Sequence, residues 1–386
     1  MTVRVNKDSF NLREKLSKLE RPIGLKGSEL MRAETSQEAR DFVSAGRKNI
    51  VINGNMMICQ RYGYNNPQTV DNERHLDRFT VRDTTSGTLK VRQSPASGSP
   101  FDNVMELNCT NADATVSSDY TRIQYLVEGY DLRGIDWGKA GSKDYLTLSF
   151  WVKTNAIGDY HVNIENTSSS YFPLMVKKYT ITESNVWKKI VVTFPPPGEY
   201  TFERGNGRGM AITWALAVGS SYNGATDGVW RTSGYVMSTS TQRNLMDTNG
   251  NNFYITGVQL EKGKNATDFE HRHYSEELAL CQRYYERHTW DPTGNQYVGV
   301  GANYQTGTSA RFVFPFLTRK RTTDPTVIFS GTYQAYPPNE TVTLTPAQDN
   351  DTAARINVDR ATSYSAGTGA LILASAGAYT EVEDEL

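Results

Sequence analysis

Residues 252–272 read NFYITGVQLEKGKNATDFEHR. Phe253 and Ile255 are apolar at one parity, Val258 and Leu260 at the other, and Gly257 stands between them. A strand alternates its side chains with period two, so an unbroken strand would turn one of these pairs to solvent. A one-residue β-bulge at Gly257 lets all four reach the same core, and glycine supplies the backbone freedom that such a kink requires. The charged cluster that follows (Glu261, Lys262, Lys264, Asp268, Glu270, His271, Arg272, His273) then marks an exit from the sheet. Glu270 and Arg272 are expected to pair across that junction. The stretch is predicted as the closing seam of a β fold, not as a ligand site.

The same period extends outward from the seam. In DYLTLSFWVKTN (144–155), Leu146, Leu148, Phe150 and Val152 share one face, with Tyr145, Thr147, Ser149, Trp151 and Lys153 opposite. In GMAITWALAVGS (209–220), Met210, Ile212, Trp214, Leu216 and Val218 face one way and small residues the other. VMELNCT, TRIQYLVEGY, YHVNIEN and VWKKIVVTFP add further strands, and SPASGSP, PPPG, GNGRG and TNGNN supply turns between many of them. Short strands with one apolar face and almost no helix predict an antiparallel β-sandwich over 47–273. A connecting helix is expected over 274–291, capped by Ser275, with Leu278, Cys281 and Tyr285 on one face. After Trp290-Asp291-Pro292 the β pattern returns in QYVGVGANY, ARFVFPF, PTVIFSG, ETVTLTP, GALILAS and AYTEVEDEL. Residues 292–386 are therefore predicted as a second, smaller β domain.

Residues 1–46 differ from the rest. Leu12, Leu16 and Leu19 set out a short amphipathic helix, and Thr35 and Glu38 form a capping box before a second one that ends near Gly46. Two such helices hold too few large apolar residues for a core of their own. They are expected to dock on a partner or on sister chains.

Lys and Arg number 41 against 42 Asp and Glu, without a long run of either sign, which argues against nucleic-acid binding by bulk charge. No apolar run approaches the roughly 20 residues that span a bilayer, so membrane insertion is not expected. The opening residues are too polar for a signal peptide, and the final EDEL is accordingly not expected to act as a retention tail. Cys59, Cys109 and Cys281 are widely spaced and expected as reduced thiols in apolar surroundings.

Three stretches, in order, resemble a module common in bacteriophage tail-fibre and receptor-binding proteins. KNIVINGNMMICQRYG (48–63) with DRFTV (77–81) resembles its opening, where an NG turn and a QR pair precede an aspartate-arginine-aromatic triplet. LSFWVKTN, the Trp187 strand and GVW (228–230) resemble its middle, and FYITGVQLEKGKNATDFEHRHYSEELALCQRYYER (253–287) its end. The likeness spans about 48–288. It implies a jelly-roll sandwich similar to carbohydrate-binding modules, and a virion component that is usually a homotrimer. The C-terminal region is more loosely similar to small β domains that follow such modules.

Sites for chemistry are few. His271 and His273 form an H-x-H pair with no third ligand, so no metal site is expected there. DTNGN (247–251) begins like a calcium loop but has Asn252 and Val258 where glycine and glutamate are required, which leaves a hairpin turn. A structural calcium held by scattered oxygens stays open. There is no phosphate-binding loop and no G-x-S-x-G elbow, so no catalytic residue and no cofactor is assigned. Tyrosines gather in turn-rich places, namely Tyr171, Tyr222, Tyr333 and Tyr336, where rings can stack on sugars while loop amides bond the hydroxyls. Trp151, Trp187, Trp214 and Trp230 are assigned to the core. The expectation is a non-enzymatic virion protein, a tail fibre or receptor-binding protein attached through residues 1–46 and adhering to host-surface polysaccharide. A virion adaptor or decoration protein without glycan binding, and a glycan depolymerase, are the rivals.

Overall fold

Leu146, Leu148, Phe150 and Val152 are fully buried along one face of a single strand, as their spacing demands. A computed structural model describes residues 48–70, 74–167, 172–290, 296–337 and 339–386, so the two expected N-terminal helices lie outside the described residues. The first part of the chain supplies β1 (Gln68–Thr69), β2 (Arg74–Leu76), β3 (Phe79–Asp83), β4 (Thr88–Pro95), β5 (Asn103–Asn111), β6 (Tyr120–Glu128) and β7 (Leu146–Thr154). It continues with β8 (Gly158–Asn166), β9 (Leu174–Ile181), β10 (Lys188–Phe194), β11 (Arg208–Val218), β12 (Trp230–Arg231) and β13 (Asn252–Lys262).

These strands form two antiparallel sheets. One has six strands in the order β1-β4-β5-β13-β7-β10, the other seven in the order β12-β9-β8-β11-β6-β3-β2. Their inner faces enclose one core in which Phe79, Tyr125, Phe150, Tyr160, Trp214 and Phe253 are fully buried. Each such side chain contributes roughly 1.5–3 kcal/mol by leaving water. The fold is a mainly β, antiparallel sandwich.

The seam lies at the centre of the six-stranded sheet. The register of β13 against β7 shifts between Thr256 and Gln259, Gly257 has φ +60°, and Phe253, Ile255, Val258 and Leu260 are all fully buried. Residues 49–54 satisfy the backbone that the bulge releases. The Ile50 amide donates to the Leu260 carbonyl at 2.9 Å, and the Val258 amide to the Gly54 carbonyl at 2.8 Å. A Cβ at Gly54 would stand 2.1 Å from the Val258 oxygen, so only glycine permits this approach. Glu270 then accepts from the Lys48 and Asn49 amides at 2.7 and 2.6 Å and lies 3.7 Å from Arg272, which itself pairs with Glu277 at 3.2 Å.

Several expectations need correction. Val218 leaves the inner face, because a register shift between Ala215 and Ala217 sends Ala217 inward and Val218 outward. The connecting helix α1 covers Tyr274–Gln282, with His273 at the N-cap position and no side-chain cap from Ser275. Tyr285 is not on its face but opens β14 (Tyr285–Thr289), which pairs with the chain's last strand, β22 (Tyr379–Glu383). Of the tryptophans only Trp214 lies in the main core; Trp151 and Trp187 are half-buried around Phe101 on the outer surface, and Trp230 packs at the core's edge.

Beyond the helix lie β15 (Gln296–Asn303), β16 (Gly307–Pro315), β17 (Thr326–Ser330), β18 (Tyr333–Tyr336), β19 (Glu340–Asp349), β20 (Ala353–Tyr364) and β21 (Gly369–Ala374). Six of them close a barrel in the order β15-β16-β20-β19-β18-β21, while β14, β22 and β17 form a three-stranded sheet. Phe312, Phe314, Ile356, Val358 and Ile372 fill this second core. The sequence reading found neither β18 nor the twelve-residue β20. In β20 the apolar parity is broken by Arg360, which is buried yet bonded to Glu340 at 2.8 Å.

Candidate functional site

On β11 the outward residues are Ala211, Thr213 and Ala215, three small side chains that leave a shallow groove between taller neighbours. The register sets Thr213 opposite Gln124 on β6 and Asn163 on β8, Ala215 opposite Arg122 and His161, and Ala211 opposite Leu126 and Glu165. Sheet pairing thus brings five polar side chains from β6 and β8 together along the outer face of the seven-stranded sheet. The segment between β12 and β13 roofs them. The Tyr235 hydroxyl meets the Arg122 guanidinium at 2.5 Å, and His161 bonds Gln242 at 2.8 Å and Thr239 at 2.9 Å.

The floor is dry. His161, Asn163 and Thr213 are fully buried, Glu165 is 1% exposed, and Gln124 is the half-buried outermost member. Glu165 Oε2, Asn163 Oδ1, Ser238 Oγ and Arg122 Nε have no hydrogen-bond partner. Buried polar atoms without partners cost roughly 1–3 kcal/mol each, so a group of them is a costly arrangement for stability alone. Burial pushes the Glu165 carboxyl up to about 7, against the pull of the Arg122 charge and the Tyr235 hydroxyl. Near neutrality it can therefore both donate and accept. Burial also lowers His161 and raises Tyr235. A mixed set of donors and acceptors, walled by rings, suits an uncharged, hydroxyl-rich ligand better than an ion.

The tyrosines singled out from sequence do not converge. Tyr222 lies at the rim of this groove, its ring edge-on to Tyr120 at 5.6 Å and to Tyr235 at 6.2 Å. Tyr333 and Tyr336, expected in a turn-rich loop, are the first and last residues of β18. Tyr333 is buried in the barrel core with its hydroxyl donating to the Tyr379 carbonyl at 2.7 Å, whereas Tyr336 is exposed. Tyr171 lies outside the described residues. Arg122, Gln124, His161, Asn163, Glu165 and Thr213 were all missed. YHVNIEN shows a wholly polar face, which was the available signal, but nothing in one strand reveals which neighbours it meets.

Among the described residues no three His, Cys, Asp or Glu side chains group as a metal site. His271 packs beside Phe269 and Phe101. Asp247, at the expected calcium-like turn, is bonded by Arg243, Thr248 and Asn251. The three cysteines are free thiols, Cys109 and Cys281 buried and Cys59 half-buried. No helix among the described residues is long and apolar enough to cross a membrane.

No protein-family model and no curated protein matches the chain. Solved structures similar to it include the enzymatically active domain of tailspike protein 4 of bacteriophage CBA120, at 13% identity and TM-score 0.30 over 56% of this chain and 21% of that one. The chain thus spans about a fifth of that tailspike protein. The family 11 carbohydrate-binding module of a Clostridium thermocellum cellulosomal cellulase is similar at 14% identity and TM-score 0.27, over 54% of this chain and 98% of the module. A putative sugar binding protein from Bacteroides thetaiotaomicron is similar at 12% identity and TM-score 0.32, over 56% of this chain and all of that one (100%).

Proposed function

We infer that this protein is a phage virion attachment protein that binds host-surface glycan without cleaving it. The observation that carries the reading is the roofed groove. Its buried atoms on Glu165, Asn163, Ser238 and Arg122 have unused hydrogen-bonding capacity, and the Tyr120, Tyr222 and Tyr235 rings stand beside them. The ordered likeness of residues 48–288 to phage tail-fibre modules supplies the setting. Residues 1–46 hold the particle, the sandwich and barrel project outward, and several copies of the chain, three by that likeness, multiply individually weak sites into firm adhesion. Gln124 is the entrance, and the Tyr222–Gln242 segment shifts to admit the sugar.

Binding of the full chain to a glycan array and to host cells tests the reading. Glu165→Ala and Asn163→Ala are expected to weaken binding about tenfold or more while the protein stays folded. Unchanged binding in both variants removes the groove from the proposal. Immunogold labelling at the distal end of the particle supports an attachment role, whereas a capsid position contradicts it. Release of reducing ends from host polysaccharide overturns the non-catalytic reading.

A further inference from the structure

The opposite side of the sandwich carries a different arrangement. Across the outward face of the six-stranded sheet, Arg92 on β4 stands opposite Glu106 on β5, Glu106 opposite Tyr254 on β13, and Tyr254 opposite Lys153 on β7. Trp187, one residue before β10, completes the row. The Lys153 ammonium lies 4.5 Å from the centre of the Tyr254 ring and 5.1 Å from that of Trp187. A parallel row runs through Lys90, Asn108 and Asn252. Five strands therefore deliver charges, amides and two half-buried rings to one continuous, accessible surface.

The charge on this surface is unbalanced. Glu106 is the one carboxylate in these two rows, and it is already engaged, accepting from Arg92 at 2.9 and 2.8 Å and from Asn108 at 2.6 Å. Glu183 and Lys188 flank Trp187 at the end of the row with opposite signs. Lys153 contacts rings but has no carboxylate partner among the described residues. Lys90 and Lys189 are exposed. Ring faces hold an ammonium in place without neutralising it, so Lys153 keeps its full charge for a ligand. The two rings flank that charge as apolar walls, the contact that the C–H face of a sugar favours.

We propose that this face is a second carbohydrate site, separate from the groove, which takes acidic polysaccharide. Lys153 meets the carboxylate of a uronate or similar acidic sugar, Tyr254 and Trp187 wall its ring, and Asn108 and Lys90 contact the adjoining residue. A neutral glycan leaves the ammonium unpaired and binds weakly, while an acidic one pairs with it at a cost to salt.

Titration of the full chain with polygalacturonate and with the same polymer fully methyl-esterified tests this. The acid form is expected to bind about tenfold or more tightly, and its affinity to fall as NaCl rises. Lys153→Met keeps the stem but removes the charge. It is expected to erase the preference for the acid form while leaving the weak binding of the ester unchanged. Trp187→Ala weakens both. Thermal melting establishes that each variant is folded, which a half-exposed surface side chain favours. Equal affinity for acid and ester, an unaltered preference in Lys153→Met, or no binding to polygalacturonate, hyaluronate and polysialate overturns the proposal. Loss of neutral-glycan binding in a groove variant bears on the groove alone, so the two readings fail separately.

Discussion

The Lys320 ammonium lies 2.8 Å from the Glu286 carboxylate, and neither side chain has any exposure. Glu286 leaves β14 toward the turn after β16, where it also accepts from the Leu317 amide at 3.0 Å and meets His288 at 3.1 Å. Burial pushes its carboxyl up, but the His288 hydrogen bond and the Lys320 charge prevail and hold it below the ordinary range. Breaking a buried pair from one side strands a charge, whereas removing both partners does not. Lys320→Met alone is expected to cost about 3–5 kcal/mol, and Lys320→Met with Glu286→Leu considerably less. Urea unfolding of wild type, both single variants and the double variant measures the difference. Additive single losses would show that the two residues do not act as a pair.

Gly257→Ala addresses the seam. The position has φ +60°, and an added Cβ would stand 2.4 Å from Phe101 Cζ and 3.0 Å from Trp151 Cδ1. Left-handed strain of roughly 1–2 kcal/mol adds to overpacking of roughly 1–3 kcal/mol, so a loss of about 2–5 kcal/mol is expected. Trimming Phe101 to leucine in the same chain relieves only the second part. A melting temperature unchanged by Gly257→Ala contradicts the account of the bulge.

Parity alone announced that bulge, because four apolar residues on one short run had to share a core. Local pattern could not say what fills the backbone gap. The NG turn of Asn53-Gly54 and the Glu270 and Arg272 side chains lie more than two hundred residues apart in sequence, yet Glu270 and Arg272 hold the backbone that leads into the turn. The groove was illegible for a related reason. Thr213, Gln124 and Asn163 are ordinary outward residues of three strands, and only register makes them neighbours. The tyrosines misled because frequency near turn residues was taken as placement in loops, and β18 is a four-residue strand with glycine and proline at its ends. Helix α1 was read too long, since Tyr284 and Tyr285 continue its apolar spacing while β22 claims Tyr285 for a sheet.

Glu385 sets an acid limit on stability. It is nearly buried among three guanidinium groups, 2.8 Å from Arg78, 3.2 Å from Arg74 and 3.8 Å from Arg61. Burial alone would raise its carboxyl, but Arg74, Arg78 and Arg61 together hold it below the ordinary value of 4.5. A depressed folded value means stability fully present above pH 4.5 and lost as the pH falls through the folded value. Glu385→Gln is expected to lower stability by about 3–5 kcal/mol at pH 7 and to converge on wild type in strong acid. Thermal melts from pH 7 down to 3 follow the two curves, and a constant gap between them excludes this carboxylate as the cause.

Glu165 imposes the opposite slope, and it links the groove to stability. Its folded value is raised by burial to about 7 from an ordinary 4.5, so the folded state holds a proton that the unfolded chain has already released between those values. Stability contributed by the neutral carboxyl is full below pH 4.5 and declines as the pH rises to about 7, after which the whole penalty is present. Glu165→Gln keeps the shape and removes the titration. The variant is expected to match wild type near pH 4 and to exceed it by about 3 kcal/mol at pH 8. The same change deprives the groove of a group that can both donate and accept, so glycan affinity falls as stability rises. Chemical unfolding at four pH values, paired with array binding, reads both effects. A wild-type stability that does not change relative to Glu165→Gln between pH 5 and pH 8 refutes the buried, proton-holding carboxyl on which the groove depends.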